Sequence, residues 1–130
     1  VVRMKVVELL EKLDEKQKKT VLKCVDRCGI PELDVEVDPT VDQDSIRFLK
    51  AISNPLRFAI LKLLRDQWLC VCLISQALGE DQTLISHHLR TLKSLGLVEN
   101  RKEGRMHFYR AKKDAIERYF QMVKGELLGE

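Results

Sequence analysis

Two glycines organise the middle of this chain. Gly79 and Gly96 each close a stretch of apolar residues at helical spacing, so residues 71–95 divide into two helices joined by Gly79-Glu80-Asp81. Glycine ends helices because it adopts positive φ at little cost. Two helices linked through so short a turn form a helix-turn-helix. On the second, from Gln82 to about Leu95, Ile85, Leu89 and Leu92 recur at i, i+4 and i+7 and must face a core. Gln82, Thr83, Ser86, His87 and Arg90 are thereby turned outward.

The flanking segments complete the pattern. Ser45 is placed to cap a helix through Ile46, Leu49 and Ile52, and Ser53-Asn54-Pro55 restarts the chain with Asn54 as N-cap and Pro55 at the first helical position. The restarted helix carries Leu56, Ala59, Ile60, Leu63 and Leu64 to about Asp66. After Gly96 the period changes. Leu97–Lys102, a turn at Glu103-Gly104, and Met106–Arg110 read as a hairpin with a basic tip of Arg101, Lys102 and Arg105. A last amphipathic helix over Lys113–Lys124 carries Ile116, Tyr119, Phe120 and Val123. The fold expected is mainly α (α+β): a winged helix-turn-helix. Such a motif sets its second helix in the DNA major groove. Gln82 and Arg90 suit base edges, Thr83, Ser86 and His87 suit bases or phosphates, and the wing cations suit phosphate or the minor groove. The plainer alternative is a solvated polar face beside a basic turn.

The N-terminal part differs in character. Residues 2–28 read as a helix with Val6, Leu9, Leu10, Leu13, Val21, Val25 and Cys28 near one face, open to a break within Asp14–Lys19. Gly29-Ile30-Pro31 stops it, and the acidic stretch 31–44 reads as an irregular linker. The expected organisation is a helical arm at 1–30, a linker at 31–44 and a winged helix-turn-helix domain, suited to DNA binding, at 45–124. Residues 1–44 hold 8 Lys/Arg against 11 Asp/Glu, whereas 45–130 hold 15 against 9. The excess of cations in the second part suits a polyanionic partner. No apolar run approaches the ~18 residues of a membrane span. The opening Val1-Val2-Arg3-Met4 soon turns charged and is unlike a secretory signal. The expected compartment is therefore the reducing cytoplasm, where four cysteines serve as ligands, redox switches or buried apolar groups.

The cysteines fall in two pairs. Cys70 and Cys72 flank Val71 at the start of the first helix of the helix-turn-helix. On a regular helix i and i+2 point ~200° apart, so both sulfurs reach one ion only where the helix start is loosened, as at Cys70. The helix N-terminus also favours thiolate over thiol. Cys24 and Cys28 are spaced i, i+4, on one helical face. No nucleophile with a base, no phosphate-binding glycine loop and no paired acids are found, so an enzyme is not expected.

The stretches FLKAISNPLRFAILKLL, LCVC and LISHHLRTLKSLGLVENRKEGRMHFYR, in this order, strongly resemble the ArsR/SmtB family of metal- and metalloid-sensing repressors, over about Ser45–Phe120. The resemblance implies a homodimer, with residues 1–30 as a dimerisation and sensing arm, that represses from double-stranded operator DNA, an imperfect inverted repeat, and leaves it when an inducer binds. In arsenic, cadmium and lead sensors of the family, CVC opens the helix before the recognition helix. In cadmium/lead members an N-terminal pair spaced like Cys24 and Cys28 joins it. The implied metal ligands are Cys24, Cys28, Cys70 and Cys72. Four thiolates suit Cd(II), Pb(II), Zn(II) or Bi(III), and three suit As(III) or Sb(III). This chain departs from the pattern in three places. Leu73 stands where many members have an acid, and no third cysteine follows Cys72. On the C-terminal helix Ile116 replaces the histidine that would join Asp114 in a zinc site, so none is expected there. A thiol/disulfide redox-sensing repressor, or a winged-helix module with a structural metal, are the alternatives.

Overall fold

A computed structural model describes residues 3–129, and the chain divides into two units between Val41 and Asp42. In the first, β1 (Met4–Lys5) runs straight into α1 (Val6–Leu10), and α2 covers Glu15–Cys28. The single helix expected over 2–28 is thus two helices after a short strand. Asp14 makes the break: its carboxylate accepts from the Gln17 N–H at 2.8 Å and starts α2 afresh. The stretch expected to be an irregular linker contains β2 (Glu36–Val37), antiparallel to β1 with Met4 opposite Val37. The N–H groups of Val6 and Val7, at the open start of α1, donate to the carbonyls of Val35 and Leu33, both at 3.0 Å. Among the described residues of this unit, Leu10 is the buried apolar one.

The second unit holds α3 (Gln43–Ser53), α4 (Pro55–Leu63), β3 (Leu69–Cys70), α5 (Val71–Leu78), α6 (Gln82–Ser94), β4 (Val98–Glu103), β5 (Met106–Ala111) and α7 (Lys113–Leu128). The cap of α3 is Asp42, whose carboxylate accepts from the Ser45 N–H at 3.0 Å and the Ser45 hydroxyl at 2.7 Å. Ser45, the expected cap, is instead buried inside the helix as partner to the true one. Asn54 does two things at once. It ends α3 in an extended conformation, and its Oδ1 accepts from the N–H groups of Leu56 and Arg57, both at 3.0 Å, to open α4. At the other end α7 runs one turn beyond the expected Lys124.

The strands order as β3-β5-β4, all antiparallel, with Glu103 opposite Met106 at the wing tip. Strand β3 was not expected from the sequence, because two residues are too few to show alternation. It pairs Leu69 with Tyr109 and Cys70 with Phe108. The core joins Phe48, Ile60, Leu64, Ile74, Ile85, Leu89, Leu92 and Leu97, all fully buried, and each stabilises the fold by ~1.5–3 kcal/mol through removal from water. Phe48 stacks on Tyr119 at 4.8 Å, and the Tyr119 hydroxyl donates to the Leu95 carbonyl at 3.1 Å, fixing α7 to the end of α6. No helix among the described residues is long and apolar enough to cross a membrane.

Replacing Asn54 with alanine removes the acceptor for two N–H groups. The expected loss is about 1 kcal/mol of unfolding free energy, as for other N-cap deletions. Urea unfolding of Asn54→Ala beside wild type measures it. An unchanged midpoint would show that solvent satisfies those groups equally well.

Candidate functional site

The helix-turn-helix closes through Gly79, at φ 64°. This left-handed residue turns the chain so that the Glu80 N–H donates to the Ser75 carbonyl at 3.1 Å, while the buried Ser75 hydroxyl donates to the Glu80 carbonyl. Helix α6 then starts after Asp81, which occupies the cap position without a side-chain bond. Along α6, Ile85, Leu89 and Leu92 face the core. Gln82, Thr83, His87 and Arg90 are exposed, and Ser86 is half-buried. These are the residues whose outward placement the spacing predicts. The exposed Leu84 joins them on the surface.

At the wing, Arg101, Lys102 and Arg105 are all exposed. Arg101 is held by Glu103, Nε to Oε1 at 2.6 Å, and Arg110 by Glu99 at 3.2 Å. Exposed pairs of this kind contribute little to stability, so a phosphate can take the carboxylate's place. The Arg110 guanidinium also lies 4.7 Å from the ring centre of Trp68, just before β3.

One polar pair escaped the sequence reading. Arg57 on α4 lies 3.2 Å, Nη1 to Nδ1, from His88 on α6. Its Nε donates to the Ala51 carbonyl at 2.7 Å. Arginine donates only, so Nδ1 of His88 is the bare, accepting nitrogen and the proton sits on Nε2. His88 is only 9% exposed. Burial first, then the charges of Arg57 and His87, push its pKa below the ordinary value, against an upward pull from Glu80. The available signal was positional. Arg57 shares a helical face with Ile60 and Leu64, and His88 lies beside Leu89 and Leu92 on the apolar side of its own helix.

The sulfurs of Cys70 and Cys72 lie 2.7 Å apart, with both cysteines free. Their convergence has a local cause. Cys70 ends β3 in an extended conformation, φ −80° and ψ 164°, as the residue preceding α5, while Cys72 sits in the first turn. The ~200° divergence of a regular helix therefore does not apply. Cys70 is 4% exposed. Burial raises its pKa, but hydrogen bonding from Cys72 and the backbone N–H groups of Leu73 and Cys72 outweighs it, and the thiol is held below its ordinary value. Cys72 is pushed up by its bond to Cys70, by burial and by the Cys70 charge. The two shifts are opposite in direction, so Cys70 gives up its proton before Cys72 does. Cys24 and Cys28 lie on α2 of the other unit, half-buried and exposed, and the Cys28 thiol donates to the Cys24 carbonyl at 3.2 Å. Among the described residues no three His, Cys, Asp or Glu side chains gather as a metal cage. The Asp114 carboxylate accepts from Arg118 at 3.2 Å.

A helix-turn-helix with a basic two-stranded wing defines a winged helix-turn-helix regulator of the DNA-binding class. Residues 54–100 match the family described as bacterial regulatory protein, arsR family. The chain is 39% identical over 82 residues to an uncharacterized HTH-type transcriptional regulator of Methanocaldococcus jannaschii, across 62% of this chain and 92% of that protein. It is 36% identical over 67 residues to a transcriptional repressor SmtB homolog of Synechocystis, across 52% of this chain and 51% of that protein. It is 37% identical over 67 residues to a cadmium resistance transcriptional regulatory protein CadC homolog of Staphylococcus aureus, across 51% of this chain and 55% of that protein. The chain thus spans about half the length of these last two. Among solved structures, it is similar to a homodimeric winged helix-turn-helix DNA-binding domain of Mycobacterium bovis, a possible ArsR-family regulator, with TM-score 0.54, 34% identity, and 71% of this chain and 94% of that one covered. Reduced HlyU from Vibrio cholerae gives TM-score 0.53 and 31% identity, with 65% and 88% covered. The chain belongs to the ArsR family of transcriptional regulators, which are not enzymes.

His88 gives stability a pH dependence of definite sign. Its pKa is depressed from 6.5 in the folded protein, so the unfolded chain takes up the proton first as pH falls. Its contribution is complete above about pH 6.5 and is lost below it. The carboxylates of Asp42, Asp66 and Asp114, lowered by Ser45, Lys113 and Arg118, act only at more acidic pH. Urea unfolding at pH 7.5 and 5.5 is expected to show a loss in wild type that is smaller in His88→Asn. Equal losses would assign the effect elsewhere.

Proposed function

We propose that this ArsR-family regulator is a homodimeric repressor that leaves its operator when a soft ion is captured by thiolates at Cys70 and Cys72. The observation that carries the reading is the convergence of the two sulfurs where β3 passes into α5. Soft ions take thiolates in preference to oxygen donors, and Cys70 is the thiol of the pair whose pKa is lowered. A tetrahedral ion with bonds of ~2.3 Å holds its sulfurs about 3.8 Å apart, so two side chains converging on one point, as these do, can both reach it. Cys70 is tied to Phe108 of the wing strand, and Cys72 belongs to the helix joined to α6 by the Gly79 turn. An ion held by both sulfurs therefore acts on both proposed DNA-contacting elements at once. A coupling of ~1–3 kcal/mol changes affinity ~5–150-fold.

Two sulfurs are fewer than such ions take. Cys24 and Cys28 are the proposed further donors, giving four for Cd(II), Pb(II) or Zn(II), or three for As(III) or Sb(III). Similarity to the SmtB and CadC homologs supports a metal-responsive repressor. On DNA, Gln82 and Arg90 read base edges, Thr83, Ser86 and His87 contact bases or phosphates, and Arg101, Lys102 and Arg105 hold the backbone. Two-fold pairing then demands an inverted repeat. The dimer reading is supported by a cavity of about 430 Å³ floored by Ile52, Phe58, Leu61, Ile116 and Phe120, with Phe58 52% exposed.

Anaerobic titration with Cd(II), following the sulfur-to-metal charge-transfer band, tests the sensor. A duplex selected by the protein from a random pool reports DNA affinity in parallel. One ion per subunit, a band of four-thiolate intensity and loss of affinity are expected. Cys70→Ser and Cys72→Ser abolish release, and Cys24→Ser and Cys28→Ser weaken the band. Full occupancy without release would sink the reading, and release by a mild oxidant alone would favour the redox switch. Separately, Phe58→Glu is expected to sediment as a monomer. An unchanged dimer would move the interface elsewhere.

A further inference from the structure

Arg57 makes three contacts that no DNA or ion contact explains. Helix α3 ends at Ser53, which leaves its last carbonyls without backbone partners inside the helix, although the Ser53 hydroxyl donates to that of Lys50 at 3.0 Å. The Arg57 guanidinium meets two of them, Nε donating to Ala51 at 2.7 Å and Nη2 approaching Lys50 at 3.5 Å. A cation there is also favoured by the helix dipole. The third N–H, on Nη1, crosses to Nδ1 of His88 at 3.2 Å. One rigid fork thus joins the end of α3, the start of α4 and the middle of α6.

What the bond does follows from the contacts around it. Ile85, Leu89 and Leu92 hold α6 to the core by apolar burial, which is non-directional and tolerates small rotations and slides. A hydrogen bond between a planar fork and a ring nitrogen tolerates much less. His88 is adjacent to His87, with ring centres 5.6 Å apart, and Arg90 is two residues on. Fixing His88 fixes the angle at which those exposed side chains leave the helix.

We propose that Arg57 is a positioning residue for sequence reading by α6: acting through His88, it sets the rotation of the helix without touching DNA. This rests on the reading that α6 contacts base edges. The bond requires a neutral His88. The charged and titratable groups that face it are Arg57 from α4, His87 from its own helix and Glu80 from the turn before α6. A proton on Nδ1 removes the acceptor and sets a second cation against Arg57.

The experiment uses the full chain and two labelled duplexes, one selected by wild type from a random pool and one scrambled. Affinity for each is measured against salt for wild type, Arg57→Lys, Arg57→Ala, His88→Leu and His88→Asn, with thermal melts alongside. Lysine keeps the charge but loses the fork. Asparagine keeps an acceptor near the position of Nδ1. Arg57→Lys, Arg57→Ala and His88→Leu are expected to lower the ratio of selected to scrambled affinity about tenfold, within the range of one lost base contact. The salt slope, set by phosphate contacts, stays unchanged. His88→Asn is expected to keep the ratio within about threefold of wild type, by retaining the acceptor. A mere loss of folded protein would lower both affinities together and leave the ratio alone. If Arg57→Ala does not fold, Arg57→Lys and His88→Leu decide. Ratios equal to wild type in the folded fork variants overturn the proposal. Failure of wild type to select any duplex would instead overturn the DNA-reading role of α6.

Discussion

Burial of Ile85, Leu89 and Leu92 along one side of α6 governs what the opposite side presents. Their removal from water contributes several kcal/mol, more than any single polar contact on this surface. The helix has no freedom to choose which residues face out, so Gln82, Thr83, His87 and Arg90 are exposed as a by-product of packing. The same core holds Leu97 and Val98, where the chain leaves α6 for the wing. The position of the basic tip relative to the helix is therefore set by apolar residues that carry no charge and meet no partner.

Much of this was legible because it rests on periodicity and punctuation. Gly79, Gly96 and Asn54-Pro55 marked real boundaries, and the wing followed from a change of period at Leu97. What escaped the sequence was short or relational. Strand β3 is two residues long and exists only because β5 offers it a partner. The N-terminal strands have the same origin, β1 and β2 each supplying the other's hydrogen bonds. Asp42 displaced Ser45 as cap because a carboxylate three residues upstream can accept from both its N–H and its hydroxyl. The thiol pair was half legible. Spacing indicated the loosening needed at Cys70, but not that strand pairing would supply it. Arg57 and His88 were visible only as polar residues among apolar helical faces, with nothing to say that they face each other.

Two kinds of polar group are therefore set into this core edge, and they differ in what they need. Arg57 and His88 satisfy one another and ask for a fixed protonation state. Cys70 and Cys72 have each other and the backbone N–H groups of α5, an arrangement that lowers the pKa of Cys70 and raises that of its neighbour. The first arrangement is closed. The second is open to exchange with anything that binds sulfur more strongly than a proton does.

Asn54 is at once the C-cap of one helix and the N-cap of the next, so it alone separates α3 from α4. Most helix junctions contain spare residues in which an insertion or deletion can be absorbed. Here there are none. Adding one residue would turn α4 by ~100° relative to α3, swinging Ile60 and Leu64 out of the core and Arg57 away from both its partners. An insertion that a loop elsewhere would absorb would here unseat two helices at once.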